Sequence, residues 1–316
     1  MQQRQSVSGS SELSEHINGN QALDDSSLFN PQVMDEQYVD CSDGALRVLH
    51  FKPHRAGGER PVVFVPGWGT SPEVFTDFFR MISGKIECYY VETREKNSSR
   101  LPIGRIPMDM DQNAGDLAAV IDHLQLTDKD YILIGTCWGA AVVGHALVRN
   151  VVDPGEVVLY DPMPRLWFPK WLLNTVVPVI PVMLWKLFLP LGRLVALWGM
   201  KEETQRRRAH AVISNADLKK WRQAALAIGD YDLELLVPQI DREISVFTGV
   251  PDKIHGQDKY PSFTRAMPHG RLFNIGVDES QRESLLGLIA REFACRREEE
   301  GVPQLFRAYE VDVRNG

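Results

Sequence analysis

The chain has 316 residues, 44% of them hydrophobic, so it is long enough to build a substantial core and the sequence predicts a globular protein. Its formal net charge of −7 and its pI near 5.7 argue against nucleic acid as the main partner, because phosphate binding needs a basic surface. The four cysteines are widely scattered and include no CxxC pair, so they predict neither disulfides nor a metal site and fit a reducing cytoplasm.

The first 34 residues are rich in Ser, Gln, Asn and Asp and contain no apolar run, which predicts a disordered leader rather than a secretory signal. The most apolar region of the chain, residues 171–185, is interrupted by Pro178 and Pro181. A membrane-spanning helix needs about 20 apolar residues without such breaks. The sequence therefore predicts no transmembrane helix.

Strand and helix patterns alternate along residues 35–161. Two strands joined by a turn at Asp43-Gly44 come first, and a buried strand from Val62 to Val65 follows. Amphipathic helices and short apolar strands then alternate as far as Tyr160. This order predicts an α/β fold, with a mainly parallel sheet covered by helices on both faces.

The alternation stops after Tyr160, where an apolar segment precedes a basic one, and this predicts an inserted helical cap. The sheet pattern then resumes and ends in an amphipathic helix, after which a charge run predicts a surface extension. The predicted organisation is a leader, the first part of the sheet domain, the cap, the second part of the sheet domain and a C-terminal extension: 1–34, 35–161, 162–238, 239–296 and 297–316.

The motif Gly135-Thr136-Cys137-Trp138-Gly139 follows an apolar strand and precedes a helical pattern. A Gly-x-nucleophile-x-Gly turn in this setting normally presents a serine, but here the central residue is Cys137. The ordinary interpretation is a small buried cysteine at a turn. However, a helix that begins there offers N–H groups and a positive dipole end, which lower a thiol pKa from its reference of about 8.5. Cys137 is therefore the candidate nucleophile.

Three landmarks in this order resemble those of the α/β-hydrolase superfamily, and the resemblance covers roughly residues 36–295. Pro66-Gly67-Trp68-Gly69 is similar to the oxyanion loop, the motif around Cys137 to the nucleophile elbow, and Gly249-Val250-Pro251-Asp252 to the segment that supplies the triad acid. The resemblance implies that the backbone N–H groups of Trp68 and Trp138 hold an oxyanion. It also implies that Asp252 is the acid, with Asp161 as its rival.

The sequence departs from the family pattern at two places. Cysteine at this elbow also occurs in dienelactone hydrolases and polyhydroxyalkanoate synthases, but those families retain the triad histidine. Here the position after the last strand reads Ile275-Gly276-Val277-Asp278, without a histidine. His255, close to Asp252, is the candidate base, and His210 in the cap is a second one; a surface histidine is the alternative interpretation of His255.

A thiolate attacks without a general base, and a thiolate leaving group departs without a general acid. The sequence therefore predicts an acyltransferase or hydrolase that acts on an acyl thioester or ester with an apolar acyl group, through a covalent acyl-cysteine at Cys137. No cofactor and no metal are expected. Coenzyme A or an acyl carrier protein would carry the substrate, and Arg206-Arg207-Arg208 would attract such an anionic carrier or form a solvated helix face.

Two alternatives to this function stay open. One is an ordinary ester hydrolase that uses His255 or the cap histidine as its base. The other is a catalytically silent relative that binds a lipid or a protein partner through its apolar cap. The cap itself would pack on the sheet domain, line an acyl-chain pocket or make a peripheral contact with a membrane.

Overall fold

The structure is a computed structural model of the chain, and it describes the residues given in the next sentence. These are residues 13, 17, 28–31, 33–55, 57–102, 104, 106–165, 175, 179, 203–249, 259–296 and 301–314. Most of the predicted leader and most of the apolar half of the predicted cap lie outside this set. Asp252 and His255, the candidate acid and base, also lie outside the described residues.

The described strands form a single sheet of mainly parallel strands. They are β1 Met34–Cys41, β2 Gly44–Phe51, β3 Val62–Val65, β4 Cys88–Val91, β5 Ile132–Thr136, β6 Glu156–Tyr160, β7 Glu243–Thr248, β8 His269–Asn274 and β9 Glu310–Val311. Their order across the sheet is β1-β2-β4-β3-β5-β6-β7-β8-β9. Every pair from β4 to β8 is parallel, whereas the pairs that involve β1, β2 or β9 are antiparallel. The predicted fold class is confirmed.

Helices cover both faces of this sheet. The α-helices of the described ranges, including α4 and α5 of the cap, are α1 Thr76–Ile82, α2 Met110–His123, α3 Trp138–Val148, α4 Glu203–Ser214, α5 Leu218–Ile228, α6 Tyr260–Ala266, α7 Arg282–Cys295 and α8 Gln304–Arg307. One hydrophobic core joins the sheet to α2, α3 and α6, and the other joins it to α1, α7 and α8. Alternate residues of β3 belong to different cores, so all four of its side chains are buried. This double burial explains why the central strands are continuous apolar runs.

The C-terminal segment 301–314 packs on the sheet domain. Phe306 is fully buried, and its ring lies edge-on against Phe247 with centroids 5.3 Å apart. β9 pairs with β8 and extends the sheet by one strand. The sequence predicts a surface extension here because a charge run dominates its pattern. In the structure, Val302, four residues before Phe306, is buried as well.

The described half of the cap, residues 203–238, is anchored to the sheet domain by two cations. Arg208 of α4 pairs with Glu279, in the turn before α7, and with Glu283 in the first turn of α7. Lys220 of α5 donates hydrogen bonds to the backbone oxygens of the loop after β4. None of the helices in the described ranges is long and apolar enough to cross a membrane.

Candidate active site

Cys137 occupies a sharp turn between β5 and α3. Its backbone has φ 51° and ψ −117°, a conformation that only glycine adopts readily. Holding another residue there costs on the order of 1–3 kcal/mol. Two hydrogen bonds fix the turn to the end of β6: the Cys137 N–H donates to the Tyr160 oxygen (3.2 Å), and the Met163 N–H donates to the Cys137 oxygen (3.0 Å). The half-buried cysteine therefore lies at the carboxyl end of the sheet, at a strand-to-helix turn as predicted.

Two glycines permit this turn by removing side chains from crowded places. A Cβ on Gly135 would lie 2.7 Å from the Ala140 Cα. A Cβ on Gly139 would lie 2.5 Å from the Pro66 oxygen and closer still to the Val65 oxygen. The glycine pair of the motif thus allows α3 to begin directly against the end of β3.

The loop after β3, residues 66–70, lies against Cys137. A Cβ on Gly67 would be 2.9 Å from the Cys137 Cβ and 3.4 Å from its Sγ. Within the described parts of the chain, the backbone N–H groups of Trp68 and Trp138 have no hydrogen-bond acceptor. Trp138 is the first residue of α3, where the helix leaves its N–H groups unsatisfied. Two unsatisfied donors from neighbouring segments beside a thiol suit an oxyanion site.

A buried ion pair between Glu95 and Lys96 binds the backbone of the loop after β3. Lys96 and Glu95 follow β4, and their residues are only 3% and 2% exposed. The Lys96 Nζ donates hydrogen bonds to the Gly67 oxygen and, over 3.2 Å, to the Thr70 Oγ1. The Glu95 Oε1 accepts from the Gly69 N–H at 3.2 Å and lies 3.4 Å from the Lys96 Nζ. The backbone of residues 67–70 is therefore tied to two charged side chains.

The pKa of Lys96 is lowered from its ordinary value because burial disfavours the charged ammonium. The negative charges of Glu95, Glu92 and the Cys137 thiolate act in the opposite direction and favour the ammonium. Lys96 and Cys137 are thus close enough for the charge of one to affect the ionisation of the other.

Three tryptophan rings pack together beside the elbow: Trp68, Trp138 and Trp221. The Trp68 ring makes edge-on contacts with the Trp138 ring at 5.9 Å and with the Trp221 ring at 6.0 Å. Trp221 belongs to α5 and also packs on the backbone of Gly69, where a Cβ would overlap its ring. The described half of the cap therefore contacts the loop that faces Cys137.

A capping turn follows β8, at the end of the stretch Ile275-Gly276-Val277-Asp278. After β8, the Asp278 N–H donates to the Gln281 Oε1 at 3.3 Å, and the Asp278 side chain accepts from the Gln281 N–H in return. Val277 lies against Gly249, with its Cγ2 3.1 Å from the position of a Gly249 Cβ. This turn leads into α7.

Asp161, the rival candidate for the acid, is buried and bound to two neighbours. Its Oδ2 lies 2.7 Å from an Arg282 guanidinium nitrogen, and its Oδ1 accepts from the Thr248 hydroxyl at 2.9 Å. Its backbone has φ 42°, another conformation that is unusual outside glycine. These bonds connect the end of β6 to β7 and α7, so a structural role accounts for the buried carboxylate of Asp161.

Two further histidines lie in the sheet domain. His145 is buried within α3, and its Nε2 lies 2.9 Å from the Asp111 Oδ1. His269 begins β8, at the amino end of the sheet and far from the elbow. In the cap, His210 is exposed and pairs with Ser214 of the same helix. Among the described residues, no group of three or more His, Cys, Asp or Glu side chains is placed to hold a metal ion.

The sequence interpretation did not include Lys96 or Glu95 among the site residues. The stretch Glu92-Thr93-Arg94-Glu95-Lys96 resembles an ordinary solvated charge run. One signal was available, however, because the run follows directly on a buried apolar strand. In a parallel sheet that position is at the same edge as the nucleophile.

Comparisons with known proteins agree with this architecture. A model of the alpha/beta hydrolase family matches residues 62–279. The sequence has no match among curated proteins. The fold is similar to that of an esterase from Exiguobacterium antarcticum, at 16% identity, a TM-score of 0.64 and coverage of 81% of this chain and 99% of the other. It is similar to a carboxylesterase from Bacillus subtilis at 13% identity, a TM-score of 0.61 and coverage of 91% and 99%.

The enol-lactonase from Burkholderia xenovorans LB400 is a third such structure, at 16% identity, a TM-score of 0.64 and coverage of 81% of this chain and 99% of the lactonase. These three likenesses concern the fold, because their sequence identities are low. They leave the chemistry of the site to be argued from its own residues.

Proposed function

Because this chain belongs to the alpha/beta hydrolase family, we propose that it cleaves or transfers acyl groups through a covalent acyl-cysteine at Cys137. The observation that carries the proposal is the strained backbone of Cys137 at the strand-to-helix turn, with the loop of Gly67 packed against its side chain. Backbone strain of this kind persists only where the surrounding structure holds the residue in place, and it is common at active sites.

The first chemical step is attack of the Cys137 thiolate on the acyl carbonyl. A carbon–sulfur bond forms, the carbonyl oxygen becomes an oxyanion, and the N–H groups of Trp68 and Trp138 donate to it. Collapse of this intermediate expels the leaving group and restores the carbonyl. One such donor is worth roughly 3 kcal/mol of transition-state stabilisation in related sites.

Thioesters suit this site better than oxygen esters. A thiolate leaving group departs without a proton, whereas an alkoxide leaving group needs a general acid. The family pattern puts a histidine after the last strand to supply that proton, and residues 275–278 contain none, which supports the preference for thioesters. The acyl-enzyme then passes its acyl group to water, which makes the protein a hydrolase, or to a second thiol, which makes it an acyltransferase.

The roles of Asp252 and His255 remain predictions. If His255 reaches the sulfur, the site is a displaced triad and oxygen esters become good substrates. An acyl chain carried on coenzyme A or on an acyl carrier protein, with the apolar half of the cap receiving the chain, is part of the same proposal.

Intact-mass spectrometry tests the covalent step. The full chain is mixed with acyl-coenzyme A of increasing chain length, quenched in acid within seconds and weighed, while free thiol release is measured in parallel. We expect one acyl adduct that disappears in Cys137→Ser, together with a loss of turnover of roughly a hundredfold or more. Cys295→Ser is the matched control, because Cys295 is exposed and would collect any spontaneous acylation.

Two results would reject this function. Full turnover by Cys137→Ser would mean that position 137 is not the nucleophile. An absence of both adduct and turnover with acyl thioesters and p-nitrophenyl esters would favour the silent relative that binds a lipid or a protein partner. His255→Ala distinguishes a displaced triad from a thiolate that attacks without a base. The displaced triad would lose activity in this variant, whereas the thiolate mechanism would keep it.

A further inference from the structure

We propose that Lys96 acts as the fixed cation of this site, stabilising the Cys137 thiolate and orienting the Gly67–Trp68 peptide that faces it. The inference rests on the proposed function, because it assigns a positioning residue to the same nucleophile. Lys96 would thereby supply part of what the histidine supplies in related enzymes, without accepting a proton.

Three acceptors surround the Lys96 Nζ. They are the Gly67 oxygen, the Thr70 Oγ1 at 3.2 Å and the Glu95 Oε1 at 3.4 Å. An ammonium has three N–H donors, whereas a neutral amine has only two. Three acceptors around one nitrogen therefore match the charged form. They also leave no lone pair for accepting the proton of Cys137, so the charge of Lys96, and not its basicity, is what the site uses.

The bond from Lys96 fixes the orientation of one peptide group. A peptide is planar and trans, so the carbonyl oxygen of Gly67 and the N–H of Trp68 point in opposite directions. The Lys96 ammonium and the Thr70 hydroxyl, whose Oγ1 donates over 2.7 Å, both hold that oxygen. The Trp68 N–H must then point away from Lys96, and in the described part of the chain it has no other acceptor. It is thus available to an oxyanion at Cys137.

The same cation acts on the thiol through its charge. The Cys137 thiolate favours the ammonium form of Lys96, and an electrostatic interaction of this kind is reciprocal. A positive charge held in a buried place therefore lowers the pKa of a thiol within its electrostatic range. The interaction is weakly screened because Lys96 is almost completely buried.

The other charges that face Lys96 set the limits of this effect. Glu95 and Glu92, from its own segment, favour the ammonium and oppose the thiolate. Lys220 of α5 binds the backbone oxygen of Lys96 and brings a second cation to the same loop. Glu95 directs its Oε1 toward the Gly69 N–H and the Thr93 hydroxyl, which disperses its charge.

The test is the pH dependence of Cys137 alkylation in the full chain. Iodoacetamide labelling is followed at the Cys137 peptide by mass spectrometry between pH 5 and 10, which yields the thiol pKa without using any substrate. We expect the wild-type thiol pKa to lie below the ordinary value of about 8.5. Lys96→Met should raise it by roughly 1 unit and lower the alkylation rate at pH 7 by up to about tenfold.

Two further variants serve as controls for the effect of the Lys96 charge. Lys129→Met removes an exposed lysine just before the start of β5, at the other end of the sheet, and should leave the thiol pKa unchanged. Lys96→Arg keeps the charge and should retain a lowered thiol pKa, which a purely structural role would not predict. Thermal unfolding of each variant shows whether the fold is retained.

The inference is overturned if the wild-type thiol titrates at 8.5 or higher, or if folded Lys96→Met leaves the thiol pKa unchanged. If Lys96→Met does not fold, the wild-type titration and Lys96→Arg decide the matter. The proposed function fails independently, through the lack of an acyl adduct, because alkylation reports on the thiol even in a protein without turnover.

Discussion

Replacing Cys137 by glycine and, separately, by alanine measures the backbone strain at the elbow. Both changes remove the thiol, but only glycine also removes the Cβ that makes φ 51° and ψ −117° unfavourable. The strain amounts to about 1–3 kcal/mol, whereas glycine normally destabilises a site by about 0.5–1 kcal/mol relative to alanine. The difference between these terms predicts that C137G is more stable than C137A by about 1 kcal/mol.

Urea unfolding followed by tryptophan fluorescence measures this difference, provided that the two variants share the same slope. Ala119→Gly in α2 is the matched control at a half-buried position with ordinary helical backbone, and it should lose about 1 kcal/mol. If C137G is instead less stable than C137A by the same amount as this control, the elbow carries no strain. The argument that the fold holds Cys137 in place for a reaction would then lose its main support.

Three other variants test the packing around the site. Gly139→Ala places a Cβ against the Val65 oxygen, so α3 must shift; we expect a lower melting temperature and at least tenfold slower alkylation of Cys137. Phe306→Ala empties a fully buried position in the C-terminal segment and should cost about 3–5 kcal/mol in urea unfolding, whereas a surface extension would cost almost nothing. Arg282→Met leaves the buried Asp161 carboxylate without its cation and should cost roughly 3–5 kcal/mol; a change below 1 kcal/mol would contradict the buried pair.

Local patterns were enough to predict the sheet and the elbow. The strand of Val62–Val65 is recognisable because both of its faces are buried, which makes every residue apolar. The turn at Cys137 is recognisable because glycines are required on both sides within five residues. The C-terminal segment was harder to predict, since burial of Phe306 depends on contacts with Phe247, far away in the sequence.

The site itself divides in the same way. Cys137, Trp68 and Trp138 follow from motifs that are short and contiguous. Asp252 remains a prediction from the family pattern, and His255 remains one from its position close to Asp252. Burial of Lys96 could not be predicted from its neighbours in sequence, because a charge run after a strand is solvated in most proteins. Its position after a buried strand indicates only that it lies at the same edge of the sheet as Cys137.

The sequence by itself determined the alternation of strands and helices and the residue at the apex of the turn, because periodicity and glycine placement act over a few residues. The tertiary structure alone decided what surrounds that residue. Pairing of β3 with β4 brings the ends of both strands to one edge of the sheet, and this places the Lys96 ammonium on the Gly67 oxygen, 29 residues away along the chain. A buried charge finds its partners only after the strands have packed, since folding removes the water that would otherwise solvate it.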